Sequence, residues 1–249
     1  MTSDETSENS SGFVFDHASG DGGNCENKRA SKEFNLNDKR DPRFFPPIDT
    51  SKIRSNMYSR FITYRFTQTD EIGWKGKRFH FQLSYDGDPL FHTKTKSRRP
   101  TTSIPISTGS DMHFSQKQFA AYLLITDSNQ FFSLRKDEEF GFEMMTVEFR
   151  QESKSTPRET VVNMFEKVEF IPPKLVSLKP KLSNTGRWEL SFLNRAIIPS
   201  IKNCILVNQD DSIPYIMVRR VCKSTLEMDV PSIYPPICVF GLALSVWLS

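Results

Sequence analysis

The densest run of cations in this 249-residue chain is Lys94-Thr95-Lys96-Ser97-Arg98-Arg99. Leu90-Phe91-His92, just before it, reads as a strand. If the strand continues, its two-residue period places Lys94, Lys96 and Arg98 on one face. Three cations along one edge match a doubly phosphorylated ring, and an arginine can hold phosphate through two parallel N–H groups. Beside an anionic leaflet each such cation contributes ~1 kcal/mol, a reversible attraction that salt weakens. A solvated loop carries runs of this kind as well, and the residues by themselves leave both readings open. Arg98-Arg99-Pro100-Thr101 also resembles a basic-directed phosphorylation site, where phosphate would cancel the local charge.

Other chemistries find less support. His17, His80, His92 and His113 are dispersed, with no carboxylate or cysteine at ligand spacing, so neither a metal site nor a catalytic triad is expected. His80 lies between Phe79 and Phe81 and so should point to the opposite face of their strand, outward. Asp210-Asp211 and Asp137-Glu138-Glu139 read as solvated turns, and no glycine-rich phosphate loop is present. Cys25, Cys204, Cys222 and Cys238 fit neither zinc spacing nor a disulfide framework, which favours a reducing compartment. The last three read as small buried apolar residues. No enzyme activity and no cofactor are expected.

The elements that must position the basic run follow from composition and periodicity. Hydrophobic residues make up 37% and charged residues 25%, as in an ordinary soluble chain. No apolar run approaches the ~20 residues of a membrane-spanning helix. The opening Met1-Thr2-Ser3-Asp4-Glu5 lacks the basic and apolar regions of a secretory signal. The net charge of +3 conceals an asymmetry: residues 1–50 carry ten acidic and six basic side chains, leaving +7 for the remainder. That first stretch is polar and rich in serine, asparagine and glycine, so residues 1–55 read as a disordered tail and 56–249 as one folded domain. Phe13-Val14-Phe15 and Phe44-Phe45-Pro46-Pro47-Ile48 are apolar islands that could dock onto the domain or a partner.

Within the domain, strands are expected at Phe61–Phe66, Phe79–Tyr85, Leu90–His92, Tyr122–Thr126, Phe131–Leu134, Met144–Phe149, Trp188–Phe192, Asn203–Val207 and Tyr215–Val218. Asp86-Gly87 should close a hairpin between the second and third. Many short strands with few helical periods indicate a mainly β antiparallel sandwich or barrel. Two helices are expected. Ser115–Phe119 is short, and Pro236–Leu248 is apolar on every side. A helix hydrophobic all round must be enclosed, and ~20 Å suits the axis of a small barrel. A membrane-inserting tail is the competing reading.

A β-rich domain ending in such a helix is similar to the tubby family. Phe192-Leu193-Asn194-Arg195-Ala196-Ile197-Ile198-Pro199-Ser200-Ile201-Lys202-Asn203 resembles the family signature Phe-x-Gly-Arg-Val-Thr-x-Ala-Ser-Val-Lys-Asn, with Phe, Arg, Ser, Lys and Asn in step. Asp211 to Val218 resembles Asn-Asp-Pro-Asp-Tyr-Ile-Val-Met, and Met228 to Ser245 lies along the family's last strand and helix. Tyr122-Leu123-Leu124-Ile125, Ser133-Leu134-Arg135 and Thr146-Val147 fall in the family's order. The chain resembles a divergent member, shorter at its C-terminal end. Asn194 stands in place of the signature glycine, a substitution that positive φ would tolerate, and Pro235-Pro236 stand where the helix starts.

The resemblance implies a closed twelve-stranded antiparallel β-barrel threaded by its C-terminal helix. It implies a monomer that binds phosphoinositides, above all phosphatidylinositol 4,5-bisphosphate, through Lys94, Lys96 and Arg98 with Arg135 joining the site. Ciliary transport machinery and membrane-receptor cargo would be its partners. Its place would be the cytoplasm, peripheral at the plasma membrane or cilium, with a nuclear role proposed for the family. Lys202 and Asn203 are expected to be structural. Two other readings stand beside this one: a tubby-like barrel without lipid binding that acts through protein contacts, and a nuclear DNA-associated regulator. Nucleic-acid binding is not expected, since no recognition helix and little aromatic interleaving accompany the charge.

Overall fold

The computed structural model describes residues 61–249 except 75, 99, 110–118, 127–128, 154, 169–170, 193–194 and 211–212. The polar tail with its two apolar islands, Arg99, Asn194 and all but the last residue of the expected Ser115–Phe119 helix lie outside the described residues. Among the described residues, fourteen strands precede one helix. They are β1 (Phe61–Gly73), β2 (Gly76–Tyr85), β3 (Asp88–Thr95), β4 (Ile104–Thr108), β5 (Ala121–Thr126), β6 (Phe131–Lys136) and β7 (Glu143–Arg150). Then come β8 (Glu159–Met164), β9 (Lys174–Ser177), β10 (Lys181–Leu182), β11 (Trp188–Glu189), β12 (Cys204–Val207), β13 (Pro214–Cys222), β14 (Thr225–Pro231) and α1 (Pro236–Leu248). Twelve strands close into an antiparallel barrel in the order β1-β14-β13-β12-β9-β8-β7-β6-β5-β4-β3-β2, and β10 and β11 form a small ribbon outside it.

The period of two decides what fills the barrel. Tyr64 and Phe66 on β1, Phe81 and Leu83 on β2, Leu123 on β5, Phe132 and Leu134 on β6, Val147 on β7 and Val162 on β8 all point inward. The β2–β3 hairpin turns on Asp86 and Gly87, whose φ of 49° and 93° are the two left-handed positions of a tight hairpin turn. The strand expected at Trp188–Phe192 shrinks to β11, outside the barrel. Phe192 instead joins Ile205, Val207 and Met217 in a second apolar cluster on the barrel's exterior.

α1 lies inside. It packs against β14, β1, β2, β3, β6 and β7, strands distributed around the ring, and its residues from Cys238 to Val246 are all buried. Phe240 meets Phe66 and Phe91 at centroid distances of 5.9 and 6.2 Å. Pro236 occupies the first helical position, where its missing N–H costs nothing. Ser245, a hydroxyl in this apolar setting, donates back to the carbonyl of Gly241 at 2.8 Å. At Gly241 the helix comes close to the wall: a Cβ there would stand 2.9 Å from Leu134 Cδ2 and 3.3 Å from Met145 Cε.

The last turn of α1 carries no basic residue of its own, and cations from other elements serve it. Lys202 Nζ donates to the carbonyls of Val246 (3.0 Å) and Trp247 (2.5 Å), satisfying groups that a helix end leaves orphaned. Asn203 Nδ2 donates to the Ile198 carbonyl, while its Oδ1 accepts from the Arg220 backbone N–H. Both signature residues therefore act structurally. Arg158 donates to Ser249 Oγ at 2.5 Å and lies over the Phe149 ring at 4.3 Å, and burial pushes its guanidinium down to about 10.

Outside the barrel, Arg219 and Asp229 form a buried ion pair between β13 and β14. Arg219 Nε donates to Asp229 Oδ2 at 3.0 Å, its Nη2 to Glu227 at 3.0 Å, and its Nη1 to the Ala196 carbonyl at 3.1 Å. Thr63 Oγ1 on β1 donates to Asp229 Oδ1 at 2.6 Å. The network thus joins three strands to the 190–203 segment that lies over them. Cys204 and Cys238 are buried as expected, and Cys222, at the open end of β13, is only half-buried.

Two substitutions test this packing. Gly241→Val should overpack the helix against Leu134 and Met145, costing about 1–3 kcal/mol and lowering the thermal midpoint by on the order of 5 °C. Asp229→Ala should leave Arg219 with Glu227 as its remaining carboxylate and deprive the Arg219 Nε–H and Thr63 hydroxyl of their acceptors, costing about 1–3 kcal/mol, measured by denaturant unfolding.

Candidate basic site at the barrel mouth

Antiparallel alternation places the β1–β2, β3–β4 and β13–β14 connections at one mouth, the same end at which α1 finishes. β1 pairs with β14 only as far as Thr67, whereas its pairing with β2 continues to Gly73 opposite Gly76. β2 in turn meets β3 only from Phe79 onward. Residues Thr69–Gly73 and Gly76–Arg78 therefore form a two-stranded ribbon that stands beyond the barrel wall.

The ribbon has two faces, read from its cross-strand pairs. Glu71 opposes Arg78 and Thr69 opposes His80 on the outer face, and Lys94 opposes His80 one strand further. Asp70 opposes Phe79 and Ile72 opposes Lys77 on the face toward the mouth. On the outer face, His80 Nε2 lies 2.5 Å from Glu71 Oε2, and Lys94 Nζ lies 3.7 Å from the same oxygen. On the mouth face, Lys77 Nζ lies 2.6 Å and Arg98 Nη2 3.6 Å from Asp70 Oδ2, and both cations lie over the Phe79 ring at 5.3 and 5.5 Å.

This arrangement differs from the one expected for the basic run. β3 stops at Thr95, whose hydroxyl donates to the Ser97 carbonyl at 2.7 Å and turns the chain. The two-residue period ends there too. Lys94 remains on the outer face with its side chain 12% exposed, while Arg98, 70% exposed, is carried to the opposite face of the ribbon. Lys96 is exposed in the bend between them. His80 does point away from Phe79 and Phe81, but Glu71 and Lys94 cover it and leave it buried.

Arg135 lies three strands from Lys94 on the same outer surface. His92 pairs with Ser107, and continuing that register sets Lys94 beside Pro105, which pairs with Tyr122, which pairs with Arg135. Three strand spacings put the two cations about 14 Å apart. Arg135 is held locally: its Nε donates to Ser133 Oγ at 3.3 Å and its Nη2 lies 3.9 Å from Glu143 Oε1.

Lys77 and Arg78 were missed by the analysis of the sequence, and so were the counter-charges Asp70 and Glu71. The signal was present in Lys75-Gly76-Lys77-Arg78, a second basic run directly before the Phe79–Tyr85 strand. Among the described residues on and beside this ribbon, Lys77, Arg78, Lys94, Lys96 and Arg98 against Asp70 and Glu71 leave an excess of three positive charges (5 − 2).

The electrostatics follow the geometry. The hydrogen bond from Lys77 holds the Asp70 carboxyl below its usual range, and the bond from His80, then the charge of Lys94, does the same for Glu71. Burial lowers His80 below its ordinary 6.5, Lys94 lowers it further, and Glu71 opposes them. The imidazole is therefore neutral near pH 7, with its Nε2 2.5 Å from Glu71 Oε2. None of the protein-family models matches this chain, and no curated protein matches it.

The pH behaviour of His80 tests the cluster. Because its folded pKa is depressed, the unfolded chain takes up a proton that the folded one refuses, so stability declines as pH falls below about 6.5. In an NMR titration the His80 midpoint should lie below 6.5. Glu71→Gln should move it lower still, and Lys94→Met should move it up. Opposite shifts would refute the assigned causes.

Proposed function

We propose that this protein is a non-enzymatic, tubby-type phosphoinositide-binding adaptor, recruited to anionic membranes by its basic mouth. The observation that carries this reading is the gathering of Lys77, Arg78, Lys94, Lys96 and Arg98 around one projecting ribbon, drawn from two separate basic runs of the sequence. A phosphorylated inositol ring presents several oxygens, and arginine and lysine at one rim answer them with charge-assisted hydrogen bonds. Lys96 and Arg98 are exposed enough to meet such a headgroup directly. Arg135 would contribute at the edge of the same outer surface. The signature residues quoted above and the barrel with an internal C-terminal helix support the comparison with the tubby family. Delivery of membrane receptors to the cilium with transport machinery, at the cytoplasmic face of the plasma membrane, is the function that this comparison suggests.

One observation favours a second reading, a barrel that acts through protein contacts alone. Lys94 and Arg135 each already face a carboxylate, Glu71 and Glu143 respectively. A headgroup would have to compete with these partners.

Vesicle co-sedimentation separates the two. Phosphatidylcholine vesicles containing phosphatidylinositol 4,5-bisphosphate should bind the protein, and plain phosphatidylcholine should not. The double substitution Lys96→Ala with Arg98→Ala should weaken binding about 30-fold, from ~1 kcal/mol per cation. Glu71→Gln should strengthen it by removing a competing carboxylate. Equal binding to both vesicle types would refute the lipid reading and favour the second.

A further inference from the structure

We propose that the tip of the β1–β2 ribbon is a membrane wedge: Ile72 and Trp74 enter the interfacial layer of an anionic bilayer while the cations behind them hold the headgroups. This inference rests on the phosphoinositide reading above and deepens it, adding an apolar contact to an electrostatic one.

The ribbon projects past the barrel wall by the five residues Thr69–Gly73, about 15 Å at strand rise. At its end Trp74 is 92% exposed and Ile72 84% exposed, among the most exposed large apolar side chains of the described residues. Neither contributes to the barrel core. An indole on a projecting turn suits the bilayer interface, where its apolar body and polar N–H are both accommodated.

The charge behind the tip points to a lipid surface as the occupant. Lys77 and Arg78 stand one and two residues behind Gly76, and Lys96 and Arg98 leave the neighbouring strand at the base of the ribbon. Lys77 lies directly across from Ile72 and Arg78 across from Glu71, so strand rise puts this pair roughly 3–7 Å behind Gly76, within the ~5–10 Å to which interfacial segments bury their apolar face. Trp74 therefore leads at the turn, while Ile72 sits level with the first cation of the collar, whose long side chain can reach back to the headgroups. Asp70 and Glu71 do not break the collar, since each is engaged by cations or by His80. The barrel gives the wedge a rigid mount, because β1 and β2 continue directly into strands whose inner faces pack on α1.

The full chain and its Ile72→Ser with Trp74→Ser variant provide the test, with vesicles of phosphatidylcholine alone, with phosphatidylserine, and with phosphatidylinositol 4,5-bisphosphate. Soluble inositol 1,4,5-trisphosphate serves as the headgroup without a membrane. The variant should bind the phosphoinositide vesicles about tenfold more weakly while its affinity for the soluble headgroup is unchanged. The Trp74 contribution to fluorescence, taken as the difference from Trp74→Phe, should shift to the blue on vesicles and be quenched by shallow brominated lipids. A variant that binds vesicles as tightly as the parent, or Trp74 emission that does not change on bound vesicles, overturns the wedge. Headgroup binding with silent Trp74 removes the wedge and leaves the phosphoinositide reading intact. Trp74 insertion into phosphatidylserine vesicles without headgroup binding does the reverse. A chain that binds no vesicle loses both.

Discussion

A twelve-stranded barrel encloses more space than its own side chains can fill, since about eight strands already suffice for a packed interior. The structure therefore depends on filling that lumen, and α1 is the filler. Its all-apolar surface would be a liability anywhere else, and inside the ring it is what the inward rows of β1, β2, β6, β7 and β14 require. At Gly241 the helix backbone comes close to the side-chain ends of Leu134 and Met145, which would have to shift to admit a Cβ. Closure of the sheet and burial of the helix are thus one event, each leaving exposed apolar surface without the other.

An enclosed helix still has carbonyls to satisfy at its end, and this ties the exterior of the barrel to its interior. Lys202 reaches the carbonyls of Val246 and Trp247 from a segment that runs across the outside of the wall. That segment is in turn pinned by Arg219, which donates to the Ala196 carbonyl while paired with Asp229. Phe192 and Met217 seal the same stretch with apolar contact. Lys202 and Asn203, expected from the sequence to be structural, are the fastening between wall and axis.

The mouth where α1 ends is also where positive charge gathers. The β1–β2 ribbon supports it because β1 outruns its partner β14, so the two strands continue as a pair beyond the wall. Carboxylates at Asp70 and Glu71 keep this charge organised: each fixes a cation on one face of the ribbon, and His80 is held neutral between Glu71 and Lys94. The most exposed charge is at Lys96, in the bend, and at Arg98, which Asp70 faces at 3.6 Å. An anion meeting this surface finds some cations already oriented and others free to reorient, an arrangement suited to reversible attraction.

Much of this was legible in the residues themselves, because it depends on local period and composition. Alternation marked β1, β2, β5, β6 and β7, Asp86-Gly87 marked a hairpin, and a run apolar on every side from Pro236 to Leu248 marked a helix that had to be enclosed, in a barrel or in a membrane. Strands such as β4, β8 and β9 escaped notice, since short segments with prolines or scattered polar residues carry little periodic signal and are decided by their neighbours in the sheet. The site divides in the same way. That Lys94, Lys96 and Arg98 form a cationic run is a property of the sequence. That Lys94 and Arg98 take opposite faces of a ribbon, that Lys77 and Arg78 join them, and that Arg135 stands three strands away is not. Those facts depend on where β3 stops and on which strands the closed barrel brings side by side, and chain order does not specify such pairings between distant segments.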